Sequence, residues 1–169
     1  LVQKNGIGDL LKAMKKVVDE VPDTKLIIVG DGPLREDLEL RIMNYELEDR
    51  VKITGKVSYE EVPQYLAQAS IFIRPSLSEG LGSAFLEAMA SGLAVIGTSV
   101  GGIPDFLKDG ETGLFCKVGD PQDLAEKIIR IMKNDDLRKR LSENGRKLVQ
   151  EKYSWDKIAE EFKNVYSRI

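Results

Sequence analysis

The sequence predicts an α/β fold with a Rossmann-like, doubly wound parallel sheet, and three observations carry that expectation. Short apolar runs alternate with helical patterns along most of the chain, the signature of strand–helix–strand units. Two of the runs stop at glycines, Gly30 and Gly55. A third run, Ile71-Phe72-Ile73, passes through a glycine-rich stretch straight into a helical pattern. A strand, a Gly-rich loop and a helix start in that order form a site for an anionic ligand.

Each element has a local reason. Leu10, Leu11, Met14, Val17, Val18 and Val21 recur at helical spacing, and Pro22 ends that helix. Lys25 to Val29 reads as a short buried strand stopped by Gly30-Asp31-Gly32-Pro33, and a polar helix follows from about Leu34 to Leu47. Val51 to Thr54 is a second strand. Ser58 and Glu61 form a capping box for a helix reaching about Ala69, in which Pro63 sits late enough to strain it mildly. Ile71 to Arg74 is a third strand, followed by a helix over 83–91, a fourth strand at Ala94 to Gly97 and a weak fifth at Thr112 to Lys117. Asp120-Pro121 starts another helix, with an N-cap and a proline at the first helical position; Leu124, Ile128, Ile131 and Met132 are its apolar face. Two more helices, about 135–151 and 155–168, complete the pattern, with Asp135-Asp136 read as a cap.

No internal repeat, linker or low-complexity tract divides the chain, so residues 1–169 are expected to form one domain. The helices over about 121–168 have no strands between them and are expected outside the sheet, or against a part of the protein beyond this chain. The first helical pattern begins almost at residue 1, with no strand before it. In a sheet of order 3-2-1-4-5-6 the first strand lies between the second and fourth. The expectation is therefore a sheet whose first strand is missing from the chain. The strand at 71–74 then stands fourth, and its loop opens at the topological switch point.

Composition narrows the function. With 25 basic and 28 acidic residues the net charge is −3, with no clustered basic excess, so no nucleic-acid partner is expected. No run approaches about 18 consecutive apolar residues, and the N-terminus does not read as a signal peptide. The chain has no His and a single Cys, Cys116. That excludes an intrachain disulfide framework, removes the commonest general base and leaves zinc short of its usual nitrogen and sulfur ligands; it fits a reducing, cytoplasmic setting.

The segment Ser78-Glu79-Gly80-Leu81-Gly82-Ser83-Ala84-Phe85-Leu86-Glu87-Ala88 concentrates the chemistry. Backbone N–H groups at the helix start can meet anionic oxygens, and the glycines permit close approach. The two carboxylates can accept hydrogen bonds from hydroxyls, which a sugar or ribose supplies in number.

The stretch from Arg74 through Glu79 and Glu87 to Ile96 closely resembles the donor-binding region of retaining, GT-B-fold glycosyltransferases of the glycosyl transferases group 1 family (family 4). Their hallmark is two glutamates separated by seven residues, as Glu79 and Glu87 are. Ile27 to Pro33, Val51 to Gly55, Gly101-Gly102-Ile103-Pro104-Asp105, Gly110 to Leu114 and Tyr153-Ser154-Trp155 resemble further family segments in the same order. The resemblance implies the C-terminal half of a GT-B fold, with an N-terminal acceptor domain as the partner in the same enzyme. It implies that Glu79 bonds the donor sugar and Glu87 the ribose. The backbone of Gly80, Leu81, Gly82 and Ser83 would hold diphosphate and sugar, with Ser76 beside them, and the loops at Gly30, Gly32 and Gly55 would flank the base. Where the family carries a lysine before a glycine this chain has Asn5, so Lys4 is the candidate to neutralise the diphosphate, or an ordinary solvated lysine. The family's arginine position lies before Leu1.

The implied donor is a UDP-, GDP- or ADP-sugar, from which a hexosyl group passes to a hydroxyl with retention. No Asp-x-Asp is present, so no metal and no other cofactor is expected. The family's catalytic His belongs to the other half, leaving no catalytic residue in this fragment and no activity expected of it alone. Family members often touch membranes through the N-terminal half, and nothing in this half argues for that. A rival reading is an isolated nucleotide-binding module that transfers nothing. A Rossmann-type oxidoreductase is disfavoured because no Gly-x-Gly-x-x-Gly opens the first unit. Four assignments stay open: Gly30-Asp31-Gly32-Pro33 and Gly101-Gly102 as turns or ligand loops, Arg74 as a site residue or an ion-pair partner, and Trp155 as a core or a domain-interface anchor.

Overall fold

The computed structural model describes residues 1–166. Five short strands are present among them: β1 Leu26–Ile28, β2 Val51–Ile53, β3 Ile71–Arg74, β4 Ala94–Thr98 and β5 Leu114–Cys116. All pairings are parallel, in two ladders, β1–β2 and β3–β4–β5. Leu26 stands opposite Val51, Ile71 opposite Ala94, and Ile96 opposite Leu114. The single sheet expected is thus seen as two ladders, and the split falls where the expected strand order lacks its first member.

Eight α-helices flank the strands: α1 Ile7–Glu20, α2 Arg35–Asn44, α3 Val62–Ala67, α4 Ser83–Ala90, α5 Ile103–Phe106, α6 Pro121–Met132, α7 Asp135–Lys152 and α8 Trp155–Tyr166. Strand β4 is buried along its whole length, and its alternating side chains feed two hydrophobic clusters. Ala94 and Ile96 join Leu10, Leu11, Met14 and Val17 of α1, Leu38 of α2, and Leu124, Ile128 and Ile131 of α6. Ile28 and Val51 belong to the same cluster, so one core spans both ladders. Val95 points the other way, to Phe85, Ala88 and Met89 of α4 and Ile103 and Phe106 of α5. There Phe85 meets Phe72 edge-on at 5.1 Å between ring centroids and Phe106 at 5.9 Å. Gly97 is required at its place, because a Cβ would come within 2.8 Å of the Phe85 ring.

Several expectations are settled or corrected. Of the two places expected for them, helices α6 and α7 take the first: they lie outside the sheet and pack within this chain. The apolar face of α6 packs on α1, and α7 packs on α4 and β4, its Leu137 and Leu141 reaching the first cluster and its Val149 the second. Pro63 strains nothing: Tyr59–Glu61 form a 3-10 turn, the α-helix proper begins at Val62, and the proline lies in its first turn. The cap at Ser58 is real, its N–H donating to the Glu61 carboxylate at 2.8 Å. Helix α7 is capped by Asn134, whose Oδ1 accepts from Leu137 N at 2.8 Å, rather than by Asp135-Asp136, which fill its first turn. Trp155 is 85% exposed at the start of α8 and packs in no core. Residues 167–168 of the last expected helix lie outside the described residues. The short helix α5 and a 3-10 turn at Gln3–Asn5 were not expected, each being a single turn with no periodicity to read.

Two outcomes follow from this packing. Phe85→Ala should lower unfolding stability by about 3–5 kcal/mol in urea titration, as a buried aromatic lost from a tight cluster. Cys116 is buried and donates to the Gly97 carbonyl at 3.4 Å; burial, with Asp123 adding, pushes its thiol up to about 12. The unfolded thiol ionises near 9.0, so the folded state holds the extra proton between those values and stability falls as pH rises through that window. Native protein at pH 8 should resist a thiol reagent, and Cys116→Ala should flatten the alkaline loss of stability.

Candidate functional site

In a parallel ladder every strand ends on the same side, so the loops after the strands gather at one edge. Gly30 follows β1 and Gly55 follows β2, and the two are bridged, Gly30 N donating to the Gly55 carbonyl at 3.1 Å. Gly55 has φ +78°, and a Cβ there would press on the Arg35 guanidinium. That guanidinium pairs with Asp31 and Glu39. The Asp31 carboxyl is held below the ordinary range, first by the Gly32 N–H at 2.7 Å. The predicted residues Gly30, Gly32 and Gly55 therefore share one corner of the molecule.

The N-terminal segment links that corner to the loop after β3. Leu1 N donates to the Asp31 carbonyl and Leu1 O accepts from Leu34 N. Three residues on, the Lys4 carbonyl accepts from Leu77 N at 2.7 Å, and Gly6, at φ +69°, packs against the Pro75 carbonyl, where a Cβ would collide. The Lys4 side chain is exposed and its ammonium has no partner among the described residues. A hollow of about 560 Å³ opens beside this segment, with Gly6, Lys12, Arg41 and Leu77 in its wall. A second of about 420 Å³ beside Cys116 includes none of the predicted site residues.

Glu79 is held by two neighbours. Its side chain is 8% exposed; Oε1 lies 2.7 Å from Arg74 Nε and accepts from Ser76 Oγ at 3.1 Å. The Arg74 Nε–H points off the line of a hydrogen bond, so the contact is a charge pair and that buried nitrogen has no hydrogen-bond acceptor. Arg74 Nη2 also donates to Asn5 Oδ1 at 3.2 Å. The open choice for Arg74 is thus settled toward an ion pair, and the partner is the predicted site glutamate itself. Ser76 is fully buried; its carbonyl accepts from Thr98 Oγ1 at 2.6 Å, fastening the loop to the end of β4.

Beyond Glu79 the chain turns into α4. Gly80 and Leu81 are exposed, and Gly82, in the left-handed region at φ +77°, caps the helix. The N–H groups of Ser83 and Ala84 have no acceptor among the described residues and stand at the positive end of α4. Glu87 lies one turn along the same side of α4 as Ser83, half-buried, its carboxylate without a partner among the described residues. The Gly101-Gly102 turn after β4 braces the loop: Gly102 N donates to the Gly80 carbonyl at 2.8 Å, and Gly101, at φ +55°, packs on the Glu79 carbonyl. The Arg74–Asn5 contact, Thr98 and this brace were beyond the sequence reading, and for the brace the glycine pair was the only signal.

Comparison with known proteins gives the family. The sequence profile described as glycosyl transferases group 1 matches residues 1–148, and the chain belongs to that family. The N-acetyl-alpha-D-glucosaminyl L-malate synthase of Bacillus anthracis is 37% identical over 160 residues, which cover 95% of this chain and 41% of that enzyme. Among solved structures, the C-terminal domain of the glycosyl transferase group 1 family protein LpcC from Francisella tularensis superposes with a TM-score of 0.86 at 26% identity, over 92% of this chain and 83% of that one. Anabaena HepE in complex with UDP and glucose shares the fold, with a TM-score of 0.91 at 23% identity over 100% of this chain and 46% of that one. The fold is the Rossmann-like C-terminal half of a GT-B architecture, and the chain spans less than half the length of the curated relatives it matches. No helix among the described residues is long and apolar enough to cross a membrane, and they contain no cluster of three or more potential metal-ligating side chains.

The brace makes a direct prediction. Gly101→Ala must relieve a collision with the Glu79 carbonyl and leave the left-handed region, so it should destabilise the chain by about 1–3 kcal/mol, read as a lowered Tm.

Proposed function

We propose that this chain is the donor-binding half of a retaining glycosyltransferase that moves a hexosyl group from a nucleoside-diphosphate sugar to a hydroxyl acceptor. The observation that carries the reading is the Glu79 loop: a carboxylate held in place beside unpaired amides at the N-terminus of α4. Those amides suit the diphosphate, and Gly80, Leu81, Gly82 and Ser83 leave the approach open. Glu79 would take hydroxyls of the sugar and Glu87 those of the ribose, with Ser76 orienting Glu79. The corner of Gly30, Gly32 and Gly55 would border the base, and Lys4 would add positive charge near the phosphates. The UDP and glucose of HepE support a ligand of this class.

Chemically, breaking the glycosidic bond gathers charge on the departing phosphate, and fixed N–H dipoles stabilise that charge as it forms. The two glutamates position substrate; neither acts as the nucleophile or acid of a glycosidase pair. The acceptor and the residues that activate it belong to an N-terminal domain, so residues 1–169 bind donor without transferring it. No metal is assigned a role. The unpaired thiol of Cys116 fits a cytoplasmic setting, with any membrane contact made by the other half.

Calorimetric titration with UDP, GDP, ADP and NAD tests this. At least one nucleoside diphosphate should bind, and NAD should not; binding of NAD alone overturns the proposal. Glu87→Ala should weaken the nucleotide about tenfold with the fold intact, the cost of losing a hydrogen bond to a charged group.

A further inference from the structure

Arg74 lies between two parts of the site that the sequence treats separately. Nε faces Glu79 Oε1 at 2.7 Å, and Nη2 donates to Asn5 Oδ1 at 3.2 Å, in the turn that carries Lys4. The same turn is fastened to the loop by the Lys4 carbonyl and Leu77 N. With Ser76 on the same carboxylate oxygen, both contacts on Glu79 fall on Oε1, and Oε2 has none among the described residues. We infer that Arg74 is a positioning residue for the donor sugar. It fixes the Glu79 carboxylate with Oε2 presented to the ligand, and through Asn5 it sets that carboxylate against the turn on the diphosphate side. Sugar and diphosphate are then registered to each other by one planar guanidinium, whose charge lies against Glu79 on the Nε side while Nη2 donates to Asn5, a fixed geometry that a lysine ammonium does not offer. The inference rests on the proposed role of Glu79 as a sugar ligand.

The test compares affinities for UDP-glucose and UDP, and for GDP-mannose and GDP, by calorimetry on the 169-residue chain, with circular dichroism to check the fold. The readout is the ratio of the nucleotide-sugar affinity to that of its nucleotide, which a general loss of structure would not change selectively. Arg74→Met should lower the ratio about tenfold, the scale of one charge-assisted hydrogen bond, while leaving the nucleotide within about threefold. Glu79→Gln should lower it similarly, and the double variant no further. Arg74→Lys and Asn5→Ala, which disturb the fold less, should fall between wild type and Arg74→Met, and they decide the matter if Arg74→Met does not fold. An unchanged ratio in the Arg74 and Asn5 variants, with Glu79→Gln reducing it, overturns this inference alone. An unchanged ratio in Glu79→Gln, or no binding of either nucleotide sugar, overturns the sugar-binding reading of Glu79 and this inference with it.

Discussion

The candidate site hangs from β4. That strand is buried on both faces, Ala94 and Ile96 in one cluster and Val95 in the other, as befits a parallel strand covered by helices on both sides. Thr98 at its end holds the Ser76 carbonyl, and the turn that follows braces the Glu79 and Gly80 carbonyls. The polar loop is therefore registered to the most rigid part of the molecule by short backbone contacts, in which glycines stand where a Cβ would intrude.

That arrangement divides the work at the site. Gly97, Gly101 and Gly82 fix where the backbone runs, and the Arg74 and Ser76 side chains fix where one carboxylate points. What stays unpaired among the described residues is the set a ligand would satisfy: the amides of Ser83 and Ala84, the exposed Lys4 and the Glu87 carboxylate. Preorganisation of this kind lowers the ordering cost of binding, because the protein groups are already in place.

Much of this was legible in the sequence. Strand positions, the Gly-rich loop and the amphipathic faces of α1 and α6 follow from periodicity and turn residues, because their burial is a local pattern. Where α6 and α7 pack was not legible, because helices without intervening strands carry no topological signal; contact with α1 and α4 decides it. The cap at Asn134 was missed in favour of the neighbouring acids, since all three residues can cap and only the φ/ψ of residue 134 selects among them. Glu79 and Glu87 stood out because they bracket the glycine-rich loop, and the resemblance gave each a role. The Arg74–Asn5 contact did not, because it joins residues 69 positions apart. For Trp155 the core alternative falls, because the fold places the ring exposed at the start of α8, where aromatic character alone does not decide burial.

The strap formed by Leu1 to Gly6 has a dynamic consequence. It crosses from Asp31 and Leu34 to Leu77 through a handful of backbone hydrogen bonds, with few of its side chains in either core. Segments held so lightly open locally at far less cost than unfolding β4 and its clusters. The two corners of the site would then lose their mutual register while β4 and its clusters stayed intact. Amide exchange at Leu77 would report this opening, and amide exchange at Ile96 the stability of the whole fold.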